Sequence, residues 1–314
     1  MTAAPIATDR VIHWRGGRYL CRLVTPQTEK ARQPVLILSG GLQNRLSWAR
    51  MERSLGTQHT LLIPDLPQAN PSDRPQARLT WKDLTDAALQ APAQLGFEHF
   101  AALGVSSGYP IAYRLAQQHP DRVTDLLVFG ASLRPGPGLT ALLQEGLRRQ
   151  AASTLSHDDE PGPVTTSTDG TRPHLRHQES VDKLVNLLTN QKAAQHTFTI
   201  RAAARVLRNQ LAASPLDPLV AYVADRGHLL LDSPLPHGGI DHVRTLVGVG
   251  EHDNVTTVED NRSVASTIRD ATFVVMKHTD HLMHMERDSD FADLITRFLH
   301  QRPLSVAETH SVQL

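Results

Sequence analysis

A single cysteine, Cys21, occurs among 314 residues, so no intramolecular disulfide forms and a disulfide-stapled fold is excluded. Cys21 sits in the alternating stretch RYLCRLV, which predicts a strand and a buried thiol. Aromatic residues make up only 4% of the chain, which argues against a carbohydrate-stacking platform. Neither sign of charge is in excess, with Lys+Arg and Asp+Glu both at 32, so neither a nucleic-acid footprint nor a polybasic membrane surface is expected. Runs of about 18 apolar residues are missing, and with them any membrane span. The first residues, MTAAPIATDRVIHWRGG, lack a basic start followed by an apolar core, which argues against a secretory signal and leaves the cytoplasm as the expected location.

Short apolar runs are abundant. VIHWRGGRYLCRLV predicts a hairpin around Gly16-Gly17. Beyond it, PVLIL, TLLIPD, FAALGVS, TDLLVFGAS, RTLVGVGEHD and ATFVVMKHTDH are near-continuous apolar segments of the kind that form parallel strands buried on both faces. Helical patterns separate several of them, including TWKDLTDAALQAPAQL, GYPIAYRLAQQH (Ile111, Ala112, Leu115 and Ala116 on one face) and VEDNRSVASTIRD. The alternation predicts an α/β fold with a doubly wound, mostly parallel sheet and a ligand crevice at the carboxyl ends of the strands.

One stretch, residues 133–241, breaks the rhythm and is too long for an ordinary connection. Three helices are predicted in it. The first buries Leu139, Leu142, Leu143 and Leu147; the second Val181, Leu184, Val185 and Leu188; the third Phe198, Ala202 and Val206. The polar segment 153–178 reads as a flexible loop, whose adjacent His157, Asp158, Asp159 and Glu160 offer no fixed coordination geometry for a metal. The tail, 301–314, looks loosely held.

Residues 104–108 read Gly-Val-Ser-Ser-Gly. A serine hydroxyl is a poor nucleophile at neutral pH; it needs a base within hydrogen-bond reach and a third group to orient that base. The backbone must also present the serine outward, on a sharp strand-to-helix turn with small neighbours. Gly104 and Gly108 supply the room, an apolar run leads into Ser106, and a helical pattern follows it.

On these residues the chain resembles the α/β-hydrolase superfamily across roughly 34–133 and 241–300. The resemblance implies a core of 1–132 and 242–300 with a helical lid at 133–241. It places the base at His281, in DHLMHMER, where Asp280 replaces the family's usual glycine and either crowds the site or adds charge beside the base. It places the acid at Asp253, at the end of GEHD, and the order Ser–Asp–His agrees with the superfamily. His252, His278 and His284 are rival histidines expected at the surface or behind the site, and Asp280 is the nearest rival acid. The oxyanion hole is expected from the backbone N–H groups of Ser107 and Gly41, with Leu42 as the fallback. In SGGLQNRLSW, Ser39 occupies the family's histidine position, which removes a loop-bracing side chain, and Asp65 is expected to be structural.

The resemblance implies an acyl-enzyme hydrolase of a carboxylic ester or thioester with an apolar acyl group, needing no metal or organic cofactor. Aspartate-nucleophile chemistry on epoxides or alkyl halides is disfavoured by Ser106. Acyl transfer and cleavage of a C–C bond beside a ketone use the same residues and stay open, as does a non-catalytic small-molecule-binding role. Acyl-carrier and homo-oligomer partners are likewise open. Activity is expected to rise as the base deprotonates near the ordinary histidine value of ~6.5.

Overall fold

The computed structural model describes residues 3–28, 32–68, 79–155, 173–215, 217–232, 234–304 and 310–313. The cluster His157 to Glu160 lies outside the described residues. Strands β1 (Ile6–Trp14) and β2 (Gly17–Thr25) form the hairpin, turning through Arg15 and Gly16 at φ 46° and 76°. Two left-handed residues in succession match the right-handed twist of the flanking strands. The chain continues through β3 (Arg32–Leu38), α1 (Ala49–Ser54), β4 (His59–Pro64), α2 (Trp81–Gln94), β5 (Phe100–Val105), α3 (Tyr109–Gln118) and β6 (Val123–Phe129). The segment after β6 is helical: α4 (Pro137–Leu155), α5 (Pro173–Leu188), α6 (Gln191–His196), α7 (Phe198–Ala212), α8 (Pro218–Tyr222) and α9 (His228–Asp232). Then follow β7 (Arg244–Gly250), α10 (Val258–Ala265), β8 (Thr272–Met276), α11 (Met283–Glu286), α12 (Asp288–Leu299) and β9 (His310–Gln313).

Among the described residues the sheet has nine strands in the order β1-β2-β4-β3-β5-β6-β7-β8-β9. The five pairings from β4 through β8 are parallel, and the outer ones are antiparallel. Alternation within each strand feeds two cores. Leu36, Leu38, Ala102, Leu126 and Val128 face one layer with α2 and α3, whereas Val35, Ile37, Ala101, Leu103 and Leu127 face the other with Phe291, Leu294 and Ile295 of α12. Both faces are dry, which explains why the runs are continuous rather than alternating. The strand order reverses at β3, between β4 and β5, and this opens the crevice at their carboxyl ends.

Two expectations are corrected. Residues 310–313 are not a loose tail: they pair antiparallel with β8 as an edge strand. The segment is short and weakly apolar, so its pairing is set by the free edge of β8 and not by its own pattern. On α7 the buried face is Ile200, Ala203, Leu207 and Leu211, while Phe198 and Val206 are exposed (72% and 43%). Two apolar stripes run along this helix, and tertiary packing selects the other one. Cys21 is fully buried in β2, and burial pushes its thiol up to about 12. Among the described residues no helix is long and apolar enough to cross a membrane.

Candidate active site

β5 ends at Val105 in extended backbone, and Ser106 follows at φ 48° before α3 begins. A non-glycine residue in the left-handed region is strained, and here packing on both sides holds it. A Cβ at Gly108 would stand 2.1 Å from Leu38 O, and one at Gly104 would stand 2.6 Å from Tyr109 Cα. Both obstacles are backbone, so neither position admits a side chain without opening the turn. The two glycines therefore let β3, β5 and α3 close around the serine.

The serine meets a histidine from a distant loop, and that histidine meets an aspartate from another. His281 Nε2 is 3.0 Å from Ser106 Oγ, and His281 Nδ1 is 2.9 Å from Asp253 Oδ2. Asp253 is held as an acceptor on both oxygens. Oδ1 accepts the N–H groups of Val255 and Thr256, and Oδ2 accepts the Thr256 hydroxyl, all at 2.9 Å. A carboxylate so supplied accepts from Nδ1–H, which leaves Nε2 free to accept the serine proton. Burial pulls the His281 imidazole down, but the Asp253 carboxylate and its hydrogen bond, joined by Asp280 and Glu286, outweigh it; the net shift is upward. The sequence-based value of ~6.5 is corrected in that direction.

Of the two expectations for Asp280, the added charge beside the base is the one supported: it helps to raise His281. Asp280 Oδ2 accepts the backbone N–H of Asn190, the N-cap of α6, while the Asn190 side chain donates to His252 O at 2.9 Å. Asn190 thus ties the helical segment to both the acid-bearing and the base-bearing loops. Burial, reinforced by the Asp253 charge, pushes Asp280 up to about 6. Glu286 Oε2 accepts Asp280 N–H at 2.6 Å, and burial pushes this carboxyl up to about 8. The native state therefore keeps a proton that the unfolded chain releases near 4.5, and stability falls as pH rises between those values. Glu286→Gln keeps the acceptor and removes the titration. Its thermal midpoint is expected to exceed wild type by several degrees near pH 8 and to match it near pH 4.5, as measured by thermal melts across pH.

The loop after β3 is braced by side chains that the sequence did not single out. Ser39 Oγ accepts from Trp48 Nε1 at 2.8 Å, and Ser39 O accepts from buried Arg226 at 3.0 Å. Gly40 N–H donates to Gln43 Oε1 at 2.9 Å, and Gln43 Nε2 stands 2.6 Å from His284 Nε2. His284 stacks on Trp48, with centroids 5.1 Å apart, which closes a ring of contacts around Gly40. Burial holds His284 down to about 3, so it is neutral and accepts at Nε2. The bracing lost with the family's histidine is thus restored by Gln43, Trp48 and Arg226. No local signal marks them, because Gln43 and His284 are 241 residues apart.

Gly41 lies beside Ser107: a Cβ on Gly41 would stand 3.4 Å from Ser107 Oγ and 2.4 Å from the Tyr222 ring. Leu42, the fallback donor, adopts φ 66° in the turn that follows. Asp65 accepts the Arg45 N–H at 2.6 Å and pairs with its guanidinium at 2.5 Å, a structural role as expected. His252 and His278 have half-exposed and exposed side chains and are not in the linings of the two compartments beside Ser106. Two apolar compartments flank the serine. One is lined by Leu188, Leu207, Tyr222, Leu282 and Met285, the other by Tyr109, Leu139, Leu230 and Val255.

Comparisons with known proteins bear on the fold that carries this site. A family model described as alpha/beta hydrolase fold matches residues 33–288. A fluoroacetate dehalogenase from a Burkholderia species is 30% identical over 99 residues, which is 30% of this chain and 33% of that protein; the match thus spans about a third of that relative's length. An esterase from Thermogutta terrifontis superposes with a TM-score of 0.66 at 19% identity, covering 94% of this chain and 98% of that one. An enol-lactonase from Burkholderia xenovorans LB400 gives 0.65 at 18% identity, covering 93% and 100%. Similarity to these two structures is similarity of fold. With the family model covering most of its length, the chain belongs to the alpha/beta hydrolase family.

Proposed function

We propose that this protein is a serine hydrolase that cleaves a carboxylic ester or thioester of an apolar substrate through an acyl-enzyme. The observation that carries this reading is the continuous hydrogen-bonded chain from Ser106 through His281 to Asp253, with the serine on a strained strand-to-helix turn. Ser106 Oγ attacks the acyl carbon as His281 Nε2 takes its proton. The N–H groups of Ser107 and Gly41 receive the developing oxyanion. The tetrahedral species collapses, the leaving oxygen or sulfur takes the proton from His281, and the acyl group remains on Ser106. Water then attacks, giving its proton to His281, and the acid is released as Ser106 recovers that proton.

The helices α4–α9 act as a lid in this reading, since they supply Leu188, Leu207, Tyr222 and Leu230 to the compartments beside the serine. Their apolar walls favour a hydrocarbon acyl group. A serine at the elbow counts against the carbon–halogen chemistry named for the dehalogenase relative, which in this superfamily uses an aspartate nucleophile. Labelling with a fluorophosphonate, followed by peptide mass spectrometry, is expected to modify Ser106 in wild type and not in His281→Ala. A folded sample that stays unlabelled would sink the hydrolase reading in favour of a binding protein. A panel of esters and thioesters of graded acyl length then measures the pocket.

In the same reading Gln43 positions the oxyanion loop. Gln43→Leu is expected to lower kcat about 10- to 100-fold with KM nearly unchanged, because a donor is displaced rather than removed. Steady-state ester kinetics measure that split.

A further inference from the structure

The geometry points to a transition-metal site of the zinc type formed by Glu251, His252 and His278, apart from the triad. Glu251 and His252 follow β7, and His278 follows β8, so the three side chains meet where two neighbouring strands end. His252 Nε2 lies 3.9 Å and His278 Nδ1 3.8 Å from the same oxygen, Glu251 Oε2, and all three atoms lie within 4.8 Å of one another. Those spacings are too long for hydrogen bonds and close to the separation of ligand atoms around a shared ion, about 3.4 Å for tetrahedral bonds of 2.0–2.1 Å. An ion centred among the three atoms would stand at most about 2.5 Å from each, a few tenths of an ångström from zinc–ligand distances. The side chains are partly or largely exposed, so they are free to make that closure and the ion has an open entry path.

The frame beneath them is already set. Glu251 N–H donates to Met276 O at 2.9 Å and His252 N–H to Thr279 O at 2.8 Å, which fixes the two loops against each other. His278 N–H donates to Glu251 Oε2 at 2.8 Å, which aims that carboxylate at the site. The Asn190 side chain holds His252 O at 2.9 Å. Two imidazoles and one carboxylate are a donor set suited to zinc, whereas magnesium prefers oxygen ligands alone. The fourth position faces solvent and would be filled by water. Asp253 lies immediately after His252, and His281 lies three residues after His278, so a bound ion cross-links the acid-bearing and base-bearing loops.

The test is calorimetric titration of the untagged, metal-stripped full chain with zinc chloride at neutral pH. One zinc per chain is expected, with micromolar or tighter affinity, and magnesium chloride is expected to give no saturable heat. His252→Ala and His278→Ala are each expected to weaken zinc binding by about tenfold or more. Both side chains are at least partly exposed, so both variants are expected to fold, which circular dichroism verifies. Zinc is also expected to raise the thermal midpoint of wild type and not of the double variant. Ser106→Ala and His281→Ala are expected to bind zinc as wild type does, which separates this site from the hydrolase reading. No saturable binding at millimolar zinc overturns the proposal, as does wild-type affinity in either surface-histidine variant.

Discussion

Ser106→Ala is expected to lower kcat/KM for a reactive ester by about 10⁴- to 10⁶-fold, the range found when a triad nucleophile is deleted. The physical argument begins with the hydroxyl itself. At neutral pH it attacks an ester only if its proton has somewhere to go, and His281 Nε2 stands 3.0 Å away to take it. Alanine keeps the turn at φ 48°, because that conformation is imposed by β3 and α3 packing around Gly104 and Gly108. Circular dichroism and the thermal midpoint are therefore expected to stay close to wild type while activity disappears. A residual rate above water would come from the oxyanion donors and the apolar compartments alone. If the variant retained most of its activity, Ser106 would not be the nucleophile.

Asp253→Asn is expected to cost about 10⁴-fold in kcat, because an amide can present its N–H to Nδ1 and reverse the imidazole tautomer. The same substitution has a pH signature. In the proposed mechanism the base works only when neutral, so activity is expected to rise with pH through the His281 value. Burial alone would lower that value; Asp253, with Asp280 and Glu286, raises it above 6.5. The wild-type inflection in kcat/KM is accordingly expected above 6.5, and with the Asp253 charge removed and burial unchanged it is expected to move down. Profiles of kcat/KM against pH for both proteins measure it. An inflection that stayed in place would remove Asp253 from the orienting role.

Much of the core is legible in the sequence. Ile111, Ala112, Leu115 and Ala116 are all fully buried, as the periodicity of α3 requires. Val181, Leu184, Val185 and Leu188 are buried along α5, again on the predicted face. Leu139, Leu142 and Leu143 are buried on α4, with Leu147 half-buried at the margin. The serine motif was legible because its chemistry needs a local pattern, small residues around a turn between a strand and a helix. Asp253 and His281 were placed by resemblance, 28 residues apart in the chain, and the structure brings His281 to Ser106 and Asp253 to His281.

What the amino-acid order determined by itself were features whose cause is local: strand runs buried on both faces, the helix stripes of α3, α4 and α5, and the glycines of the elbow. Tertiary structure decided the features whose cause is a neighbour remote in the chain. Packing chose between the two apolar stripes of α7, leaving Phe198 exposed and burying Leu207. It turned Asp280 toward Asn190, paired Gln43 with His284, and recruited residues 310–313 to the edge of β8. It also set two histidines around Glu251. Periodicity and motif spacing record a residue's relation to the next few positions. A hydrogen bond across 241 residues depends on where the sheet brings two loops together, and no local pattern carries that distance.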